Sequence, residues 1–175
     1  MDIVFSDFYL GENKINLSKK YKNIERLTEK TGIESVWATS GDIMTLAQNA
    51  FKNSDKSLKN KIKIFILVTQ SPSDFLPANS TTIAHKLGLG NEIFTFDFNQ
   101  GCSGFVQAFL VMKNLIKRFN TGLIITADCY RKKLDPLDRS TNAVFSDAAS
   151  AIVFNQNKNK NILFQETYTD GSKRK

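Results

Sequence analysis

Cys102 is the residue in this chain best placed to carry chemistry. It sits in FDFNQGCSGF, residues 96–105, where an apolar strand pattern passes into a long helix pattern and Gly101 and Gly104 flank the cysteine and its neighbouring serine. Such a strand-to-helix elbow sets the sulfur near a helix N-terminus, where free N–H groups and the macrodipole favour a thiolate, the nucleophilic form. The glycines let the backbone turn sharply and let an acyl group or another strand come close. Free cysteine is also among the most buried residue types, so spacing alone leaves a structural role open. Cys129 follows LIITAD with no glycine elbow, and the single histidine, His85, lies in IAHKLGL, a helix-surface setting. A cysteine hydrolase pairing Cys102 with His85 would need that histidine to leave its helix.

The elements that must position Cys102 alternate between strand and helix patterns, an α/β layered arrangement. Ile62 to Thr69 (IKIFILVT) is continuously apolar and β-branched, as a strand buried on both faces requires. Glu92 to Phe98, Leu123 to Ala127, Ala151 to Phe154 and Ile162 to Glu166 complete a set of about five strands. Ile43, Leu46, Ala47, Ala50 and Phe51 form one helix face behind Ser40 or Asp42 as cap; Ile83, Ala84 and Leu87 form another that Gly88 terminates. After Cys102, the spacing of Phe105, Phe109, Met112, Ile116 and Phe119, beside Ala108, Val111 and Leu115, predicts a mostly buried helix. Asn155 to Asn161 (NQNKNKN) reads as a hairpin loop between the last two strands.

Bulk properties bound the rest. The 175 residues, 41% hydrophobic, fit one domain with a real core. The longest apolar run, Ile64 to Val68, is far short of a bilayer span, and MDIVFSDFYL lacks the positive region of a signal peptide, so a cytoplasmic location without membrane contact is expected. Two cysteines outside any CxxC arrangement argue against a disulfide scaffold or zinc site, and no metal is expected. The net charge of +7 favours acidic partners, but the lysines are scattered and match no nucleic-acid recognition pattern.

FDFNQGCSGF resembles the nucleophile region of the thiolase-type condensing enzymes, in particular β-ketoacyl-acyl-carrier-protein synthase III, where the matching cysteine accepts the starter acyl group. Further blocks agree in order: KTGIESVW, residues 30–37, is similar to the early TGI motif; TQSPSDFLPANSTTIAHKLGL, residues 69–89, to the segment that reaches across the dimer; and TADCYRKKLDPLDRSTNAVFSDAASAIVF, residues 126–154, to the DP..DR and FGDGA region. Ser146, Ala148 and Ser150 stand where that last region has glycines.

The resemblance implies one pseudo-repeat of a thiolase-like layered fold, with residues 1–175 corresponding to the N-terminal half and the C-terminal half absent. It implies ping-pong acyl transfer: Cys102 takes an acyl group from acyl-CoA or an acyl-carrier-protein thioester, no cofactor being held permanently, and the acyl-enzyme then condenses with a decarboxylating malonyl thioester. The family's histidine and asparagine that assist decarboxylation belong to its second pseudo-repeat, and His85 is not that histidine. The family's adenine-stacking tryptophan falls on Arg26, a neighbouring arginine on Lys30, and the second arginine of the clamp is retained as Arg139, so these three are the expected cofactor-binding residues. Leu76 takes the place of a phenylalanine that reaches into the partner subunit's acyl pocket, which implies a homodimer and an acyl group larger than acetyl. Both fatty-acid synthesis and acyl supply to surface glycans suit such an enzyme. The competing expectation is a non-catalytic condensing-enzyme-like module that dimerises or binds a carrier protein.

Overall fold

The computed structural model describes residues 1–159 and 164–172. Its centre is a five-stranded mixed sheet in the order β1-β7-β6-β4-β5. The strands are β1 (Asp2–Leu10), β4 (Ile64–Val68), β5 (Phe94–Phe98), β6 (Thr121–Asp128) and β7 (Ala148–Asn155). β4 runs parallel to β5 and β6, whereas β7 is antiparallel to β6 and β1 is antiparallel to β7. A separate two-stranded sheet pairs β2 (Asn13–Asn16) with β3 (Ser35–Ala38).

β4 is central, and each of its five residues is buried, as its continuous apolar run requires. Its side chains alternate between two cores. Phe65 and Leu67 face helices α3 (Ile43–Phe51) and α5 (Asn79–Lys86), while Ile64, Ile66 and Val68 face α6 (Gly104–Phe119). Four short helices, α1 (Leu17–Lys20), α2 (Glu25–Thr31), α4 (Lys56–Lys61) and α7 (Arg139–Asn142), complete the described set. Among the described residues no helix is long and apolar enough to cross a membrane.

The cap of α3 is Asp42, whose carboxylate accepts the Thr45 N–H at 2.9 Å. Past the end of α5, Gly88 is left-handed at φ 71°. α6 departs from expectation, because only one of its faces is sealed. Ala108, Met112 and Ile116 are buried, Phe105, Phe109, Leu115 and Phe119 are partly covered, and Val106 is exposed. The helix lies on the sheet as an outer layer, so its flanking aromatics are only half covered.

Three strands were not evident from the sequence. β1 is an edge strand whose pairing partner lies at the far end of the chain, and β2 and β3 are four residues each. Conversely, the strand expected over Ile162–Glu166 is not found among its described residues. Phe164 to Glu166 lack regular structure, and Ile162 and Leu163 lie outside the described residues. The loop predicted over Asn155–Asn161 begins with the last residue of β7 and has a turn at Lys158 and Asn159; residues 160 and 161 lie outside the described residues.

Serines in the final block fill the place of glycine with hydrogen bonds. Ser146 Oγ accepts the Trp37 N–H at 3.0 Å, and the Ser150 and Thr126 hydroxyls pair at 2.8 Å across β6 and β7. β7 therefore packs without glycine, tied by side chains instead.

Candidate active site

Cys102 occupies a single 3-10 turn, Gly101–Ser103, between β5 and α6, and its side chain is exposed. That exposure removes the buried-structural alternative. Gly101 has φ +56°, a conformation that an L side chain adopts only at a cost. Gly104 serves another purpose. A Cβ there would meet Val68 Cγ1 at 2.6 Å, so the absence of a side chain lets the first turn of α6 sit directly on β4.

Three neighbouring segments are fixed around this elbow by buried or half-buried carboxylates. Asp128, the last residue of β6, accepts from Gln70 N (2.8 Å), Ser71 Oγ (2.8 Å) and Thr69 Oγ1 (3.1 Å), which ties the end of β4 to the end of β6. Ser71 Oγ in turn accepts the Cys129 N–H at 2.8 Å. Asp97 on β5 accepts from Asn79 N, Asn79 Nδ2 and Ser80 N at 2.8, 3.0 and 2.8 Å, and so anchors the start of α5. Asp147, fully buried, accepts the Thr39 and Arg131 backbone N–H groups, each at 2.9 Å. Each carboxylate meets backbone donors that burial would otherwise leave unpaired.

Beside the turn stand Gln70 and Tyr130. The Tyr130 hydroxyl donates to Gln70 Oε1, and its ring stacks on Phe145 with centroids 4.9 Å apart. Burial, then the Asp128 carboxylate and Cys102, push the Tyr130 hydroxyl up from its ordinary value, so it remains a neutral donor. Sequence reasoning did not single out this pair. Cys129, by contrast, is buried, and burial followed by the nearby Asp147 carboxylate pushes its thiol up to about 12.

The structure brings the three cationic positions together. Arg26 and Lys30 lie four residues apart on α2, hence on one face, and Arg139 opens α7; with Asn23, Leu27 and Ser140 they line one open pocket of about 360 Å³. Arg139 donates to the Asn23 carbonyl and lies over the Tyr21 ring at 5.8 Å. Among the described residues no acidic side chain lines the pocket, so it offers anions fixed positive charge. Leu76 is elsewhere, 89% exposed beside Phe75 at 94% on the loop between β4 and α5. His85 is exposed on α5.

Residues 96–171 match the family model described as 3-oxoacyl-[acyl-carrier-protein (ACP)] synthase III. The β-ketoacyl-[acyl-carrier-protein] synthase III of Streptococcus mutans is 33% identical over 155 residues, which cover 85% of this chain and 47% of that protein. The Wolbachia pipientis enzyme of the same name is 33% identical over 172 residues, covering 93% of this chain and 54% of its own. Among solved structures, a 3-oxoacyl-(acyl-carrier-protein) synthase III superposes with TM-score 0.81 at 28% identity, over 89% of this chain and 50% of that one. The Aquifex aeolicus structure gives 0.78 at 26% identity, with 89% and 54% covered. The chain is therefore β-ketoacyl-acyl-carrier-protein synthase III-like, with that family's thiolase-type α/β fold, and spans about half the length of the curated relatives it matches.

Proposed function

We propose that the chain supplies the acyl-accepting half of a synthase III-type condensing enzyme, with Cys102 as nucleophile. The observation that carries this reading is the exposed Cys102 on a glycine-permitted turn between the edge strand β5 and the long helix α6. The Cys102 sulfur attacks the carbonyl of an acyl-CoA or acyl-carrier-protein thioester. A new C–S bond forms, the substrate C–S bond breaks, and the departing thiol carries away the proton that Cys102 loses. In the second half-reaction a malonyl thioester releases carbon dioxide, its carbanion takes the acyl carbon, and the Cys102 thiolate is regenerated. The family's histidine and asparagine assist that step, and no matched position in this chain provides them.

Arg26, Lys30 and Arg139 would meet the phosphates of CoA or of a phosphopantetheine arm. With arginine in place of the stacking tryptophan, the flat Arg26 guanidinium would pack on the neutral adenine while the charges meet the phosphates. Leu76, presented on its exposed loop, would line the acyl pocket of a partner subunit in a homodimer, where a side chain smaller than phenylalanine leaves space for an acyl group longer than acetyl. An acyl carrier protein is the expected protein partner and the cytoplasm the expected location.

The test is intact-mass analysis after incubation with CoA thioesters from acetyl to octanoyl. The expected result is a single acyl adduct on Cys102, strongest beyond acetyl and absent from Cys102→Ala. No adduct with any thioester would return the chain to a non-catalytic dimerising or carrier-binding module.

A further inference from the structure

Acylation of Cys102 leaves one pair of groups beside the elbow unused. Gln70 follows β4 with its backbone N–H fixed to Asp128 at 2.8 Å, and Tyr130 begins the 3-10 turn after β6 with its ring stacked on Phe145. Each side chain is thus held by its own element, and the two meet through the bond from the Tyr130 hydroxyl to Gln70 Oε1. That bond engages the amide oxygen once and leaves the amide nitrogen with no hydrogen-bond partner among the described residues. The nitrogen faces the elbow: a Cβ on Gly101 would lie 3.7 Å from Gln70 Nε2. The Tyr130 oxygen retains its lone pairs, and the hydroxyl lies within electrostatic reach of Cys102. An acyl chain on the Cys102 sulfur would therefore emerge beside an amide donor and a phenolic oxygen.

We propose that Gln70 and Tyr130 are specificity-determining residues that select, at Cys102, acyl groups bearing a hydroxyl or oxo substituent over plain alkyl chains. The inference rests on the reading of Cys102 as acyl acceptor and adds the substrate class. Its physical basis is asymmetric. A substituted chain exchanges bonds to water for bonds to the amide and the phenol, whereas an alkyl chain covers the same groups and leaves them unpaired. Gln70 and Tyr130 are partly exposed, so some water remains and the preference expected is about tenfold rather than the far larger ratios of a sealed site.

The experiment compares acylation rates of the full chain by β-hydroxybutyryl-CoA and butyryl-CoA, a pair that differs by one hydroxyl, followed by intact mass. Wild type should favour the hydroxyacyl thioester by about tenfold, and Gln70→Leu and Tyr130→Phe should each bring the ratio toward one. A structural defect lowers both rates together and leaves the ratio where it was, so the ratio separates recognition from folding. Equal rates in wild type, which require no variant, overturn the selectivity, as does a ratio that both variants preserve. Failure of both thioesters to acylate Cys102 removes the acyl-acceptor reading as well; adducts formed without preference remove the selectivity alone.

Discussion

Cys102 and Cys129 carry the same functional group into opposite environments. Cys102 projects from a turn into solvent, whereas Cys129 is buried behind the Asp128–Ser71 network with its thiol pushed up to about 12. Folding therefore favours the neutral form of Cys129. Its contribution to stability is complete below the ordinary thiol value of 9.0 and is lost as pH climbs through that value toward about 12. At about pH 8, iodoacetamide should place one label rapidly on Cys102 and reach Cys129 only as the protein unfolds. Peptide mapping would reveal the opposite order, which would contradict this arrangement. The glycine flanks of Cys102 were legible in sequence, as was the weakness of Cys129. Gln70 and Tyr130 were not, because each is unremarkable alone and 60 residues separate them. Asp147 was hidden for the same reason, bonding Thr39 from 108 residues away.

At the scale of elements, the elbow depends on two glycines for different reasons, and their substitutions should differ in cost. Gly104→Ala pushes a methyl against Val68 Cγ1 in the seam between α6 and β4, an overpacking cost of about 1–3 kcal/mol. Gly101→Ala meets only the Gln70 side chain at 3.7 Å and pays for left-handed backbone alone, about 1–2 kcal/mol. Thermal melts should rank Gly104→Ala below Gly101→Ala, both beneath wild type. If Gly104→Ala melted with wild type, the close seating of α6 would be wrong. The elements that frame the elbow were readable because periodicity and caps are local: β4 by its unbroken apolar run, α3 by Asp42, α6 by its three-and-four spacing. β1, β2 and β3 were not. Their stability comes from partners rather than from pattern, and β1 leaves Ile3 and Phe8 exposed at a sheet edge, which blurs any alternation.

At the scale of the whole molecule, the net charge of +7 acquires a location, because folding gathers Arg26, Lys30 and Arg139 onto one pocket from helices more than a hundred residues apart. Composition disclosed only the excess; the family resemblance named the three positions, and the fold sets them around one pocket. Replacing all three by alanine should raise the dissociation constant for CoA by about three- to tenfold at low salt, with a smaller change at high salt, since exposed charges are screened. Calorimetry at two salt concentrations checks this; unchanged affinity would place CoA elsewhere. The same long-range order shapes the loop between β4 and α5. Ser71 is bound to Asp128 at one end and Asn79 to Asp97 at the other, while Asn79 Oδ1 accepts the N–H groups of Ser73 and Asp74 within the loop. Between these moorings Phe75 and Leu76 stand almost wholly in solvent. The projection is thus preorganised: a surface that receives the Phe75–Leu76 tip gains its apolar area without first freezing a wandering chain, so the ordering entropy that weakens most loop-mediated contacts has already been spent in folding.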